Sequence, residues 1–335
     1  MTQSQTSLSQ AELENQLKAI VGDDKVKTDA DSLETFGKDW TKIYPPNPAA
    51  IVFPKTTEQV QAIVKFANEQ QVALVPSGGR TGLSAGAVAA NCEVVVAFDY
   101  MNSISDFNAM DKTVRCGAGV ITEQLQDYAE EQGLFYPVDF ASAGSSQIGG
   151  NIGTNAGGIK VIRYGMTRDW VAGLTVVTGK GDVLELNKDL VKNNTGYDMR
   201  QLFIGGEGTL GFVTEATMRL TRPAKNLTVL VLGVPEFEAI MSVLNTFQTN
   251  IDLTAFEFFS DKAMRKVVAR GDVPAPFETE AEYYALLEFE AETEGHIDQA
   301  MELFEKCMEE GWVLDGVMSQ SETQAQNLWR LREDI

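Results

Sequence analysis

At 335 residues, with 44% hydrophobic and 22% charged content, the chain is long enough for about two folded domains and reads as neither disordered nor fibrous. Its 48 Asp and Glu against 27 Lys and Arg leave a net charge of -21, which repels nucleic acid at long range and disfavours docking on anionic lipid. Cys92, Cys116 and Cys307 show neither CxxC nor zinc spacing, and a single histidine, His296, leaves no Ser–His or Cys–His pair and no His cluster for a metal.

The opening MTQSQTSLSQAELENQL lacks the basic and apolar regions of a signal peptide, and the longest apolar stretch, 227–234, is too short to span a bilayer. A reduced, cytoplasmic, soluble protein is the expectation. Capping residues and apolar spacing predict a short helix over 9–20. AIVFP at 50–54 predicts a strand, 56–70 an amphipathic helix capped by Thr56 or Thr57, and VALVP at 72–76 a second strand, together a β-α-β run. Strands follow at 94–98 and 112–116, then a helix at 122–132. Residues 171–186 alternate around Gly179-Lys180-Gly181 as a hairpin, and FVTEATMRL at 212–220 alternates as a strand.

Pro223 marks a boundary. Beyond it the pattern predicts strand 227–233, helix 236–247, strand 254–259, helix 260–269, strand 283–290, helix 296–309 and strand 312–318. Between Asp272 and Ile335 stand seventeen Asp and Glu against three Lys and Arg. This is a second, α+β domain with an antiparallel sheet. His296, in the acidic run EAETEGHIDQ, reads as a solvated residue at a helix start.

Three glycine-rich segments stand out. The first, Pro76-Ser77-Gly78-Gly79-Arg80-Thr81-Gly82-Leu83, follows a strand; its glycines free the backbone to turn N–H groups toward one point, with Ser77, Thr81 and the charge of Arg80 to add. No Lys-Ser/Thr follows, so it is not a Walker A loop. The second, AGSSQIGGNIGTNAGGIKVIRY at 143–164, holds Gly144, Gly149, Gly150, Gly153, Gly157 and Gly158 with no acidic group, in a chain rich in them. Asn151, Thr154 and Asn155 can donate or accept there, with Arg163 just beyond. The third ends in GEGTLG at 206–211, which matches GxGxxG; the fingerprint must open a helix, but the period-two segment after it is a strand, so a Rossmann site is rejected. The first two segments, taken alone, also admit a plain turn. Together, over about 130 residues of one domain, they suit an extended acceptor-rich ligand; FAD is long enough to touch all three.

PSGGRTGL, GSSQIGGNIGTNAGGIKVIRYG and FIGGEGTLGFVTEATMRL in series resemble the FAD-binding (PCMH-type) domain of the vanillyl-alcohol-oxidase superfamily, in its D-lactate, glycolate and D-2-hydroxyglutarate dehydrogenase branch. The likeness runs from about Leu33 to the end of the chain. It implies an α+β protein: an N-terminal helical segment at 1–45, a flavin domain of two α/β subdomains at 46–223, and a C-terminal substrate domain at 224–335, incomplete at its end. The first loop would hold the pyrophosphate through Pro76, Gly78, Gly79, Arg80, Thr81, Gly82 and Leu83. Pro137, Gly144, Ser145, Gly149, Gly150, Asn151, Thr154, Asn155, Gly157 and Gly158 would line the flavin and the rest of the dinucleotide, and Gly208, Gly211 and Val213 the far side. Asn is commoner in the family where Arg80 stands, and a Gly pair where Ala85-Gly86 stands. Some relatives attach FAD covalently through a His near these loops; none stands here, so non-covalent FAD is implied.

The implied activity is FAD-dependent oxidation of a D-2-hydroxy acid to the 2-oxo acid, with an electron acceptor left open and a homo-oligomer admitted. Trp329-Arg330-Leu331-Arg332-Glu333 is similar to the family segment whose second Arg binds the substrate carboxylate, which nominates Arg332; a surface Arg is the plain alternative. The family's His-rich segment, with the catalytic base and a divalent metal, would follow residue 335, so this chain is expected to bind FAD without turning over by itself. Competing readings are a non-catalytic FAD-binding subunit working with a partner chain, and a nucleotide binder that takes no flavin.

Overall fold

A computed structural model describes residues 8–187, 190 and 192–335, so the first seven residues of the expected N-terminal segment lie outside the described residues. Two units form. One runs to Ala156 and resumes over Met166–Arg222; the other takes Gly157–Gly165 and Pro223–Ile335.

The first unit opens with α1 (Gln10–Val21), started by a capping box in which Ser9 and Glu12 exchange backbone and side-chain hydrogen bonds. Then come β1 (Val26–Lys27), α2 (Ala30–Phe36), β2 (Ala50–Val52), α3 (Thr57–Gln70), β3 (Leu74–Ser77) and β4 (Val94–Ala97). Thr56 caps α3 by accepting from the Gln59 amide at 3.3 Å. The sheet order is β1-β2-β4-β3, parallel except for β1. The expected β-α-β run forms, but β4 lies between its two strands. Val60, Ile63, Val64 and Ala67 of α3, at helical spacing, close over Val94 and Val96 and against Leu17 of α1.

The chain continues through β5 (Ile104–Asn108), β6 (Thr113–Gly117), α4 (Thr122–Glu131), α5 (Ile148–Thr154), α6 (Val161–Tyr164), α7 (Thr167–Trp170), β7 (Val171–Thr178), β8 (Val183–Leu186), α8 (Arg200–Phe203) and β9 (Gly211–Arg219), with α6 belonging to the other unit, and the five strands form a second sheet. Its order, β5-β6-β9-β7-β8, is antiparallel throughout. The 171–186 hairpin forms as expected. In β9 Phe212, Thr214, Ala216 and Met218 are buried and their neighbours less so, the period-two pattern that removed the Rossmann reading. The helix α5 was not expected: Ile148 and Ile152, four apart and fully buried, are its whole apolar face amid glycines that argue against a helix.

The second unit contains β10 (Leu227–Val234), α9 (Phe237–Gln248), β11 (Leu253–Ser260), α10 (Asp261–Val268), β12 (Tyr283–Glu290), α11 (Glu294–Glu309), β13 (Asp315–Met318) and α12 (Glu322–Glu333). The sheet β11-β12-β10-β13 is antiparallel. Leu230 and Leu232 of β10 face Val243, Phe247 and Ala300, while Val229 and Val231 join Met264, Val267, Leu328 and Leu331. Helices on both faces explain why β10 reads as an unbroken apolar run. His296 departs from the solvated residue expected: it is half-buried in the first turn of α11, and its Nδ1 is enclosed with no hydrogen-bond partner among the described residues. No helix among the described residues is long and apolar enough to cross a membrane.

One charged residue sits deep in this unit. Glu288 of β12 is only 3% exposed. Its Oε1 accepts from Lys160 Nζ at 2.5 Å and Thr254 Oγ1 at 2.6 Å, and its Oε2 from Trp329 Nε1 at 2.8 Å. The Lys160 ammonium also lies 4.7 Å from the centre of the Trp329 ring. A carboxylate this deep requires its partners, and Lys160 ties the Gly157–Gly165 excursion into the second unit.

Replacing Lys160 by Met strands the buried carboxylate, and a loss of about 3–5 kcal/mol in denaturant unfolding is expected. Adding Glu288→Leu to that variant should recover most of it; a loss below about 1 kcal/mol for the single change contradicts the buried-pair account. The three thiols should separate equally clearly. Burial pushes the Cys116 thiol up to about 12 and raises that of Cys307, whereas Cys92 is exposed. At pH 8, below the raised values, iodoacetamide should label Cys92 in the native protein and reach the other two only on unfolding.

Candidate functional site

The three glycine segments meet in the first unit through their backbones. A Cβ on Gly79 would lie 2.2 Å from the Ser145 carbonyl oxygen and 2.7 Å from Ser146 Cα, which joins the first segment to the second. Gly208, with φ +73°, presses on Pro76, where a Cβ would come within 2.5 Å of Pro76 Cγ and join the third to the first. The amides of Gly205 and Glu207 donate to the carbonyls of Ile152 at 2.9 Å and Gly153 at 2.8 Å, joining the third to the second.

At the exit of β3 the first segment exposes backbone donors. Among the described residues, none of the amides from Gly78 to Leu83 donates to a protein acceptor. An open run of N–H groups on a turning backbone is an anion nest. Nearby, Ser77 Oγ is fully buried and Gln147 Oε1 lies on a residue 5% exposed, both without partners among the described residues. Gln147 Oε1 would stand 3.6 Å from a Cβ on Gly78. Neither the spacing nor the composition pointed to Gln147; its signal is that it is the one long polar side chain among the small residues of 143–158.

Several side chains expected to face a ligand are engaged inside the protein instead. Asn151 Nδ2 donates to Thr122 Oγ1 at 2.7 Å, and that hydroxyl lies 2.7 Å from Ser146 Oγ, a buried chain that holds α5 against α4. Thr154 Oγ1 donates to the Gly150 carbonyl in its own helix. Asn155, left-handed at φ 49°, caps α5 and accepts the Arg168 amide at 3.0 Å. The Arg80 guanidinium does not stand free as an added charge: it pairs with Asp99, Nη2 to Oδ1 at 2.9 Å. Asp99 is invisible as a partner in sequence, because only the parallel register of β3 and β4 brings their exits side by side.

The remaining positions divide. Gly144, Ser145 and Gly150 are exposed, and Gly149 lies against Ala118, donating to its carbonyl at 2.8 Å. Thr81, Gly82 and Leu83 continue the open loop. Pro137 is buried between Tyr136 and Val138 of the second core. Gly211 answers to strand pairing, since a Cβ there would lie 2.4 Å from the Val177 carbonyl oxygen, and Val213 pairs with Val176. Gly157 and Gly158 fall in the second unit.

In that unit Arg332 lies on α12, its Nε donating to Glu257 Oε2 at 2.9 Å. Its two Nη groups have no partner among the described residues, which leaves a fork of donors. Arg330, by contrast, is held by Asp272 at 3.1 Å and Asp334 at 2.9 Å.

FAD offers pyrophosphate acceptors together with hydroxyl and ring N–H donors. The open amides at 78–83, the partnerless Gln147 Oε1 and the unfilled space at Gly150, where a Cβ would meet nothing within 4 Å, fit such a group.

The family model for an FAD binding domain matches residues 48–187, and the model for FAD linked oxidases, C-terminal domain, matches residues 223–335. The chain is 72% identical over 321 residues to a D-2-hydroxyglutarate dehydrogenase of Stutzerimonas stutzeri, covering 96% of this chain and 69% of that protein. It is 56% identical to the enzyme of that name from Xanthomonas citri pv. viticola, covering 93% and 66%. Against the mitochondrial D-2-hydroxyglutarate dehydrogenase of Arabidopsis thaliana it is 36% identical and spans 58% of that protein's length. Among solved structures, an alkyldihydroxyacetonephosphate synthase (TM-score 0.76, 20% identity, 98% of this chain and 64% of that one) and p-cresol methylhydroxylase (TM-score 0.76, 17% identity, 97% and 70%) share the fold.

Two glycine substitutions should separate architecture from ligand space. Gly79→Ala drives a methyl into the Ser145 carbonyl and should lower the melting temperature of the flavin-free protein, with a loss of about 1–3 kcal/mol. Gly150→Ala sits in a helix with open space, so the flavin-free protein should keep or slightly raise its stability while FAD affinity falls. Unchanged FAD affinity in the second variant would remove Gly150 from the site.

Proposed function

Because the chain belongs to the FAD-linked oxidoreductases of the D-2-hydroxyglutarate dehydrogenase family, we propose that it is the flavin- and substrate-binding part of an enzyme that oxidises D-2-hydroxyglutarate, or a close D-2-hydroxy acid, to the 2-oxo acid. The observation that carries the reading is the junction of three glycine segments around unpartnered amides.

The amides of Gly78–Leu83 would hold the pyrophosphate, and the glycines of α5 would let backbone approach the cofactor. What FAD supplies is acceptance of a hydride from the substrate α-carbon. Arg332 would clamp a substrate carboxylate through its two Nη groups, with Glu257 on Nε fixing the plane of the fork. We place the base for the hydroxyl proton, and any divalent metal beside it, in the third of the relatives' length that this chain does not span. That same partial span favours a second reading, an FAD-binding fragment that needs the remaining chain or a partner for turnover. The three thiols, all free, suit the cytoplasm. The substrate is a small 2-hydroxy acid, and a charge of -21 disfavours nucleic acid as a partner.

Anaerobic addition of D-2-hydroxyglutarate to the whole, flavin-loaded protein should bleach the visible absorbance of the flavin, and the L enantiomer should not. Arg332→Gln should raise KM by roughly 10²-fold, the loss of a two-bond charged contact. No bleaching with any D-2-hydroxy acid would remove the assignment.

A further inference from the structure

Arg80 is the one residue of the first glycine segment in the left-handed region, with φ +60°, a conformation that suits Gly or Asn and strains Arg. Its guanidinium is fixed on three sides. Nη1 donates to the Gly78 carbonyl at 2.7 Å and to Asp99 Oδ2 at 3.2 Å, Nη2 donates to Asp99 Oδ1 at 2.9 Å, and the planar group lies 4.6 Å from the centre of the Phe36 ring. The Asp99 carboxylate balances its charge locally. The site therefore gains no net positive charge from Arg80, although the ligand it would bind is anionic.

The contact with Gly78 has a consequence set by peptide geometry. In a planar trans peptide the C=O of Gly78 and the N–H of Gly79 point in opposite directions. Holding that oxygen on the guanidinium turns the Gly79 N–H the other way, into the run of amides without protein acceptors. The other freedom of this peptide is closed by steric contact, since the Gly79 α-carbon abuts Ser145 and Ser146.

We infer that Arg80 is a positioning residue of the cofactor site: locked by Asp99, it pins the Gly78 carbonyl, aims the Gly79 amide at the pyrophosphate, and does not itself pair with the phosphates. The inference rests on the FAD reading of the nest. Asn would adopt the left-handed backbone unaided, whereas Arg is held there by Asp99, Gly78 and Phe36.

The test is FAD titration of the flavin-stripped whole protein, followed by quenching of flavin fluorescence, for wild type, Arg80→Asn, Asp99→Asn and the R80N/D99N double variant. Each single change should raise Kd about tenfold, the loss expected when one hydrogen bond to a charged group is misaimed. The double variant should be no worse than either single one, because both break one device. Asp99→Asn that binds FAD as tightly as wild type, or more tightly, would overturn the proposal, since a released guanidinium would then be acting on the phosphates directly. Should Asp99→Asn not fold, as judged by near-UV circular dichroism, Arg80→Lys replaces it: it keeps the charge but lacks the planar fork whose two Nη groups reach Gly78 and both Asp99 oxygens, so the proposal expects the same loss and wild-type affinity refutes it. Wild-type protein that takes up no FAD refutes the cofactor reading itself, and this inference with it, and is recognised before any variant is compared.

Discussion

The site in the first unit depends on a backbone contact that admits no side chain, Gly79 against Ser145 and Ser146. Remove that approach and β3 no longer delivers its exit loop to the start of α5. The contact of Gly208 with Pro76 and the amides of Gly205 and Glu207 on α5 complete the same junction from the third segment. Each glycine gives up more conformational entropy on folding than another residue would. The three segments together use that freedom to bring three stretches of chain within van der Waals contact.

A junction made of backbone has a chemical consequence. Peptide N–H groups have no pKa to tune and no rotamers to lose, so a run of them is a rigid donor array. The side chains around it act behind the array. Asn151, Thr122 and Ser146 hold α5, Asn155 and Arg168 hold the turn after it, and Arg80 with Asp99 holds the loop. The donors presented to a ligand are therefore backbone groups, while side chains such as Arg80 set how that backbone is held.

Charge is handled differently in the two units. The chain is strongly acidic, yet 143–164 carries no Asp or Glu, which keeps repulsion away from an anionic ligand. In the second unit the acidic excess stays largely at the surface, and the one deep carboxylate, Glu288, is met by an ammonium, a hydroxyl and an indole N–H. Two of those partners come from distant segments, Lys160 from the excursion after α5 and Trp329 from α12. Trp329 is also three residues from Arg332, so the helix that carries the proposed carboxylate clamp is anchored by the same buried group.

The amino-acid sequence by itself determined most of the strands and long helices, because hydrophobic period is a local property: β12 at 283–290 and the 171–186 hairpin lie where alternation puts them, whereas β1 and β5 carry no such signal. It also separated the 206–211 glycines from a Rossmann turn, since the period-two segment after them is legible within nine residues. The glycine segments identified the kind of ligand. Tertiary structure decided the rest. The insertion of β4 between β2 and β3, the helix hidden in the glycine tract, and the passage of Gly157–Gly165 into the second unit all depend on contacts between segments far apart in the chain. So do the partners of Arg80, Asn151 and Glu288. A side chain's type states which bonds it can make, but only the folded backbone brings one acceptor within 3 Å and leaves another open.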